Sequence, residues 1–297
     1  VEHSGLNLRQ ALKLFTGLSS KQVKAAIDSR RVRVDGRVEQ HGSTKLRVGQ
    51  RLIWEAPTLA HPAPRSDRAD FKVEVLFKND HYLVVDKPPG IPSQRTKDPR
   101  RPTVEGKVLD WCRNRGVLEV SLAHRLDRDT SGVLVFGIGK GATESLMKWF
   151  KHRMIQKTYY ALTKGVAPKG SGVWETHQGR VSSRGGRQVF GSVRSGGQSA
   201  VTGYRVLGSR AGHSLWELKP KTGRTHQLRV HLSEAGFPIV GDHLYGRRDD
   251  CDVEPHHLLH AGCLALPICA GEYRWQSDLP LNFRAALDKV GLDSKTE

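Results

Sequence analysis

The chain has 297 residues, with 48 Lys and Arg against 30 Asp and Glu, a formal net charge of +18 at pH 7 and 37% hydrophobic residues. That apolar share suffices to bury a core, which sets the chain apart from polypeptides too polar to fold, and the length predicts two domains at roughly 100–200 residues each. With no run of about 18 apolar residues and no apolar signal core in the opening VEHSGLNLRQ, neither a membrane span nor export is expected, and the charge predicts a polyanionic partner, RNA or DNA.

In chain order, residues 1–56 read as a small basic α/β domain. Leu8, Ala11, Leu12 and Phe15 recur at helical spacing. Ser19 and Ser20 can cap a second helix, KQVKAAID, with Val23, Ala26 and Ile27 on one face and Lys21 and Lys24 on the other. VRVDGRV alternates around Asp35-Gly36, a tight hairpin signal, and LRVGQRLIWE predicts another short strand pair around Gly49-Gln50. Residues 57–70, with their prolines and no periodic apolar face, read as a linker.

Residues 71–297 form the second predicted domain. VEVLFKND and HYLVVDK are strand-like, and KPPG is a turn. VEGKVLDWCRNR predicts a helix with Val108, Leu109 and Cys112 inward, and GVLVFGIGK a buried strand. ATESLMKWFKHR predicts a helix with Leu146, Trp149 and Phe150 toward the core and cations in its last turn, where the helix dipole favours them. KTYYALTKG alternates as a strand, so Tyr159 and Tyr160 face opposite ways and one of them can line a site. Residues 164–198, rich in Gly, Ser and Arg, read as hairpins and mobile basic loops outside the core.

Cys112, Cys251, Cys263 and Cys269 form no CxxC pair or disulfide framework, which fits a reducing compartment. His256, His257 and His260 lie near two of them, but the paired ligand spacing of structural zinc is absent, so packing or surface roles are expected.

Chemistry concentrates in two segments. AHRLDRDTSGVLVFG, residues 123–137, sets His124, Arg125, Asp127, Arg128 and Asp129 just before a buried strand. A carboxylate flanked by Arg125 and Arg128 would stay ionised, a good nucleophile or base and a poor acid. From spacing alone, a salt bridge capping the turn explains these residues equally well. PKTGRTHQLRVHLSEAGFPIVGDHLYG gathers Lys221, Arg224, His226, Arg229 and His231 around one turn and one strand or helix start, and HQLRVH, if a strand, puts Arg229 on one face with Gln227 and His231.

These motifs, in this order, resemble the RluA-type branch of the pseudouridine synthases. HRLDRDTSGVLVFG is similar to its catalytic motif, KTYYALTKG to its tyrosine motif, PKTGRTHQLRVHLSEAGFPIVGDHLYG to its third motif, and VLFKNDHYLVVDKPPGI to its opening strand and turn. GLSSKQVKAAIDSRRVRVDGRV followed by KLRVGQRLIW resembles an S4 RNA-binding domain. The resemblance implies an α+β pseudouridine synthase fold over residues 71–297, a mixed and mainly antiparallel sheet with helices and a central cleft, preceded by the S4-like domain. It implies a reaction without cofactor or metal, in which Asp127 attacks a flipped uridine or its ribose, the glycosidic bond breaks, and uracil turns and rejoins through C5. Arg229 would pair with Asp127, Tyr159 would pack on uracil or assist proton removal, and Leu228 or Val230 would line the pocket. Arg125 would fill the space left by the flipped nucleotide, and His124, Arg224 and His226 would contact substrate. Lys21, Lys24, Arg30, Arg31 and Arg33 would touch RNA phosphates. The implied partner is structured RNA, ribosomal first and transfer RNA second, for a monomeric protein of the bacterial cytoplasm. The alternative is a non-catalytic RNA-binding or ribosome-assembly protein with the same fold. One departure is IPSQ at 91–94, where many relatives carry a histidine after the KPPG turn. Asp129 is the rival carboxylate, and Asp242 and His243 are expected to fix a turn.

Overall fold

A computed structural model describes residues 5–16, 20–28, 32–54, 71–96, 98, 101–184, 186–246, 254–267 and 273–293. The chain divides into two compact units, Val1–Ser66 and Asp67–Glu297.

In the first unit, α1 (Leu8–Thr16) and α2 (Ser20–Asp28) precede β1 (Val32–Val34), β2 (Arg37–Val38) and β3 (Leu52–Trp54). The strands make a three-stranded antiparallel sheet in the order β2-β1-β3. Leu8, Ala11 and Leu12 of α1 pack with Val23, Ala26 and Ile27 of α2 and with Val32 and Leu46, so α2 buries the stripe that its spacing predicts and α1 buries all of its stripe but Phe15, which is exposed near the helix end. Asp35 and Gly36 both take positive φ, 51° and 80°, as a two-residue hairpin turn requires. The Asp35 carboxylate also accepts from Arg51 N and Gln50 Nε2, tying the hairpin to β3. The expected strand pair around Gly49-Gln50 does not form. Gln50 N closes a turn onto Arg47 O, while Leu46 is drawn into the core and bonds Leu6 O, so residues 52–54 alone become a strand, against β1.

The second unit contains β4 (Glu74–Lys78), β5 (Tyr82–Lys87), α3 (Val104–Arg113), β6 (Val120–Leu122), β7 (Ser131–Ile138), α4 (Gly139–Lys151) and β8 (Gln156–Lys164). There follow β9 (Ser171–Arg184), β10 (Arg187–Ser192), β11 (Gln198–Arg210), β12 (His213–Pro220), α5 (Gln227–Glu234), β13 (Leu259–Ala265), β14 (Arg274–Gln276) and α6 (Leu281–Val290). One eleven-stranded sheet runs β10-β9-β11-β12-β8-β13-β7-β5-β4, with β14 on β13 and β6 on β7. Every pairing is antiparallel except β13 with β7. The sheet is therefore mixed and mainly antiparallel, with few helices.

Strand alternation separates two cores. Leu83, Val85, Leu134 and Phe136 pack with Val104, Val108 and Cys112 of α3 on one side, while Tyr82, Val84, Val133 and Val135 pack with Leu146 of α4 on the other. Gly132 marks where β7 meets β13. Its φ is +111°, and a Cβ there would lie 2.2 Å from Ala261 O.

Two expectations change. Residues 164–198 contain the expected hairpin, β9 with β10, but it is built into the large sheet and not a set of loops outside the core: β9 also pairs with β11 along its other edge, and Gln178 is buried. Backbone pairing on both edges holds this Gly- and Ser-rich strand although most of its side chains are exposed or half-buried, so period-two hydrophobicity is weak. Of the two readings of HQLRVH, the helix start holds and the strand does not. Residues 227–232 form the start of α5 and are all buried, so their apparent alternation reflects no exposed face.

Candidate active site

Asp127 sits in the loop between β6 and β7, over the end of the sheet where β7, β8 and β13 meet. The loop is pinned on both sides. Ser93 Oγ donates to Leu126 O at 2.8 Å and accepts from Leu126 N at 3.0 Å. Lys87, fully buried, donates to Pro88 O, Ile91 O and Arg128 O at 2.9, 2.7 and 2.8 Å, and Gly90 N also donates to Arg128 O. Burial pushes the Lys87 ammonium down to about 7, opposed by the carboxylates of Asp129 and Asp127. The KPPG turn and the residues after it therefore hold both neighbours of Asp127.

Three histidines hold the next residues. His256 Nδ1 lies 2.8 Å from Asp129 Oδ1, His257 Nε2 shares a hydrogen bond with Thr130 Oγ1 at 2.8 Å, and His260 Nδ1 shares one with Ser131 Oγ at 2.9 Å. Burial pushes His257 and His260 down to about 4, so both are neutral in the fold. The cluster that suggested zinc is thus a clip on the Asp127 loop.

Arg229 projects from α5 between two carboxylates. Its Nε and Nη2 donate to Asp242 at 2.7 and 2.8 Å, and its Nη1 donates to Asp127 Oδ2 at 3.1 Å. Burial works against the Arg229 charge, but the carboxylates of Asp242 and Asp127 outweigh it and raise the guanidinium pKa. Burial would likewise raise Asp242, yet Arg229 holds it at about 2. Asp242 also accepts from Leu244 N and Tyr245 N, so it fixes the turn and the arginine together. The Arg229 guanidinium lies 4.9 Å from the centre of the Tyr245 ring.

Asp127 keeps 29% of its side chain exposed, whereas Asp129 keeps 15% and is gripped by both Nε and Nη2 of Arg128. Burial opposes ionisation of Asp129, but His256 and Arg128 prevail and hold its carboxyl far below the usual range. Both rival carboxylates line the larger hollow of a cleft, but Asp127 alone also lines the hollow beside it and keeps the greater exposure.

That cleft has two hollows sharing Arg125, Leu126, Asp127, Thr225, His226 and Arg229. One, about 420 Å³, is walled by Tyr159, Leu228, Leu259, Lys157 and Arg224. The other, about 520 Å³, is walled by residues 92–96, Arg187, Phe190 and His257. Tyr160 instead lines a cavity of about 510 Å³ with Thr158, Lys219 and Arg274. Burial, reinforced by the charge of Asp127, pushes the Tyr159 phenol well above its ordinary range and keeps it protonated.

The expected site residues separate into groups. Asp127, Arg229, Tyr159, Arg125, Leu228, Arg224 and His226 share the cleft. Arg125 is exposed and makes no ion pair or hydrogen bond among the described residues. Arg224 is held by Ser199 O and Gln198 Oε1. His226 takes a left-handed backbone (φ 59°), bonds the Tyr245 hydroxyl at 2.9 Å, and brings Nε2 to 3.8 Å from Asp127. His124, expected at the substrate, lines neither hollow. Its Nε2 accepts from Val135 N, its ring stacks on Phe150 at 4.6 Å, and burial pushes it down to about 3, so it braces β7. Val230 is buried within α5 and lines neither hollow. In the first unit, Lys24 is exposed on α2, and the Arg33 guanidinium donates to Gly36 O in the hairpin. Lys21 lies on α2, and Arg30 and Arg31 lie outside the described residues. Sequence reading missed the parts played by Ser93, Lys87 and the three histidines, and it gave Asp242 the turn alone.

The family described as RNA pseudouridylate synthase matches residues 81–234. Ribosomal large subunit pseudouridine synthase D of Pseudomonas aeruginosa is 30% identical over 298 residues, covering 95% of this chain and 91% of that protein. The protein of the same name in Borreliella burgdorferi is 32% identical over 222 residues, 72% of this chain and 68% of that one. Among solved structures, Human RNA Pseudouridylate Synthase Domain Containing 4 has a TM-score of 0.63 and 28% identity, over 74% of this chain and 94% of that one. The matched residues hold Asp127, Tyr159 and Arg229, and the mixed sheet around them has the fold of solved synthases: the chain belongs to the RNA pseudouridylate synthase family and is an RNA pseudouridine synthase, an isomerase.

Proposed function

We propose that this chain isomerises specific uridines of large-subunit ribosomal RNA, with Asp127 as the catalytic carboxylate acting on a nucleotide flipped out of its stack. The observation that carries the reading is the asymmetry of the two carboxylates on one loop: Asp129 is locked by Arg128, while Asp127, the more exposed, reaches the hollow walled by Tyr159 with Arg229 at its back. The ribosomal substrate rests on the names of the two relatives. Base flipping is required because the target atoms cannot be reached inside a stacked helix.

Asp127 attacks the uridine or its ribose, and the bond from C1′ to N1 breaks. The freed uracil turns, C5 bonds to C1′, the bond formed by Asp127 breaks to return the free carboxylate, the C5 proton leaves to solvent and N1 gains one, so the product is an isomer of the substrate. Arg229 steadies the carboxylate. Tyr159 and Leu228 pack on the uracil, and the raised pKa of the buried Tyr159 phenol favours packing over proton removal. Arg125, unpaired among the described residues, fills the gap left in the RNA. Residues 1–56 act as an S4-like RNA-binding domain joined by residues 57–70 to the synthase domain, 71–297. Lys21, Lys24, Arg30, Arg31 and Arg33 are its proposed phosphate-binding cations, and the protein acts as a monomer.

Asp127→Asn is the direct test. It should retain RNA binding and lose tritium release from C5-labelled uridine, whereas turnover by that variant counts against Asp127. Free uracil as product would mean a base-removing hydrolase, and wild-type protein that binds RNA without forming pseudouridine would be a binding or assembly factor. Removing residues 1–56 should weaken RNA binding and flatten its salt dependence by about 0.7–0.9 for each phosphate that the shortened protein no longer neutralises. An unchanged slope overturns the role of that domain.

A further inference from the structure

We propose that the RNA strand flanking the target nucleotide leaves the Asp127 cleft over Arg95 and runs along a basic trough on α3. The inference rests on the reading of the chain as an RNA-modifying enzyme. Arg95 and Thr96 form a wall common to the Asp127 cleft and to a further hollow of about 460 Å³ beside α3. Arg101, Lys107 and Arg113 line that hollow, so cations continue outward from the cleft, where Arg125, Arg128 and Arg187 already stand.

Two carboxylates, Asp98 and Asp110, also line the hollow. Asp110 is matched by Arg113 at 3.2 Å, leaving the balance positive. Arg95 and Arg101 are exposed and make no ion pair among the described residues. The N-terminus of α3 is not itself an anion site, because its first amides are already taken. Val104 N bonds Pro92 O, Glu105 N bonds Ser93 O and Gly106 N bonds Thr103 Oγ1. The trough therefore offers side-chain cations, which suit a phosphodiester chain: such cations set the position of a nucleic acid without reading its bases. RNA is favoured over an acidic protein by continuity, since the nucleotides next to the one at Asp127 must leave the cleft. The same segment ties this surface to catalysis: Ser93, two residues before Arg95, holds Leu126 beside Asp127.

The test compares two equal charge changes. In Arg95→Gln/Arg101→Gln the cations lie on the trough; in Arg274→Gln/Arg284→Gln they lie on the Tyr160 cavity across the sheet. Binding of full-length protein to transcribed large-subunit ribosomal RNA is measured across a KCl series, with thermal melts confirming that each variant is folded. The trough variant should flatten the slope of log K against log salt by about 0.7–0.9 for each of its two arginines, and the other pair should leave it unchanged. Equal slopes in both variants, or a change in the Arg274/Arg284 pair alone, overturn the proposal. Pseudouridine formation by the wild type separates the two failures: without it the functional reading falls, and with it and equal slopes the trough alone falls.

Discussion

Asp242 takes two nitrogens of Arg229, at 2.7 and 2.8 Å, and leaves one for Asp127 at 3.1 Å. The carboxylate that does not reach the cleft thus aims the cation that does. Asp242→Asn leaves Arg229 buried with half its compensation removed. Breaking a buried pair in this way costs about 3–5 kcal/mol, and misaiming Nη1 by an equivalent of about 1.4 kcal/mol costs tenfold in turnover. Arg229→Lys should fail as well, since one ammonium cannot present the planar fork that two carboxylates use. Thermal melts and tritium release measure the two effects, and a destabilised Asp242→Asn with wild-type turnover would reduce Asp242 to a fold element.

The same pair sets an acid limit. Asp242 is held at about 2 against an ordinary 3.8, so its contribution is present above about pH 4 and is lost as pH falls toward 2. His257 and His260 act at higher pH. Both are held near 4 against an ordinary 6.5, so the unfolded chain takes up protons first as pH falls. Their contribution is complete above 6.5 and is lost between 6.5 and 4, by at most about 1.4 kcal/mol per pH unit for each histidine. Urea denaturation at pH 7.0 and 5.0 should show this loss, and His257→Gln should reduce it. An identical difference in His257→Gln would show that His257 does not carry it.

How far the residues could be read differs by kind. β5, β7 and β8 were legible because apolar runs bounded by Gly or charge leave few alternatives, and the opposed faces of Tyr159 and Tyr160 follow from strand geometry alone. Asp127 and Arg229 were legible through their motifs, although they lie 102 residues apart. α5 was legible only as a strand or a helix start, because a helix start buried on all sides has no amphipathic signature to decide between them. The place of the β9–β10 hairpin in the large sheet was not legible, because the pairing of β9 with β11 is made by backbone that no side-chain pattern reports. The histidine clip joins residues 127 and 129 positions apart for Thr130 and Ser131, a relation that only the β7–β13 pairing creates.

That pairing depends on one glycine. Gly132 adopts φ +111° directly against Ala261, and an added Cβ would stand 2.2 Å from a backbone oxygen with no flexible side chain to yield. Gly132→Ala therefore has to part β7 from β13 or rotate the backbone, and overpacking alone costs about 1–3 kcal/mol before the strain of positive φ. The variant should be poorly soluble or melt well below the wild type. A melting temperature within experimental error of the wild type would show that the two strands can separate freely there.

Ser93 gives the most selective probe of loop position. Its hydroxyl both donates to Leu126 O and accepts from Leu126 N, and it is buried, so water cannot readily replace it. Ser93→Ala leaves a buried amide and carbonyl unpaired, about 1–3 kcal/mol for the first group stranded, on the residue immediately before Asp127. Because the Ser93 hydroxyl is spent on Leu126 and acts through it on Asp127, the effect should fall on kcat more than on KM. Ser93→Thr keeps the hydroxyl and should recover part of the turnover that Ser93→Ala loses. Equal turnover in the alanine and threonine variants, with both folded, would show that the hydroxyl does not position Asp127.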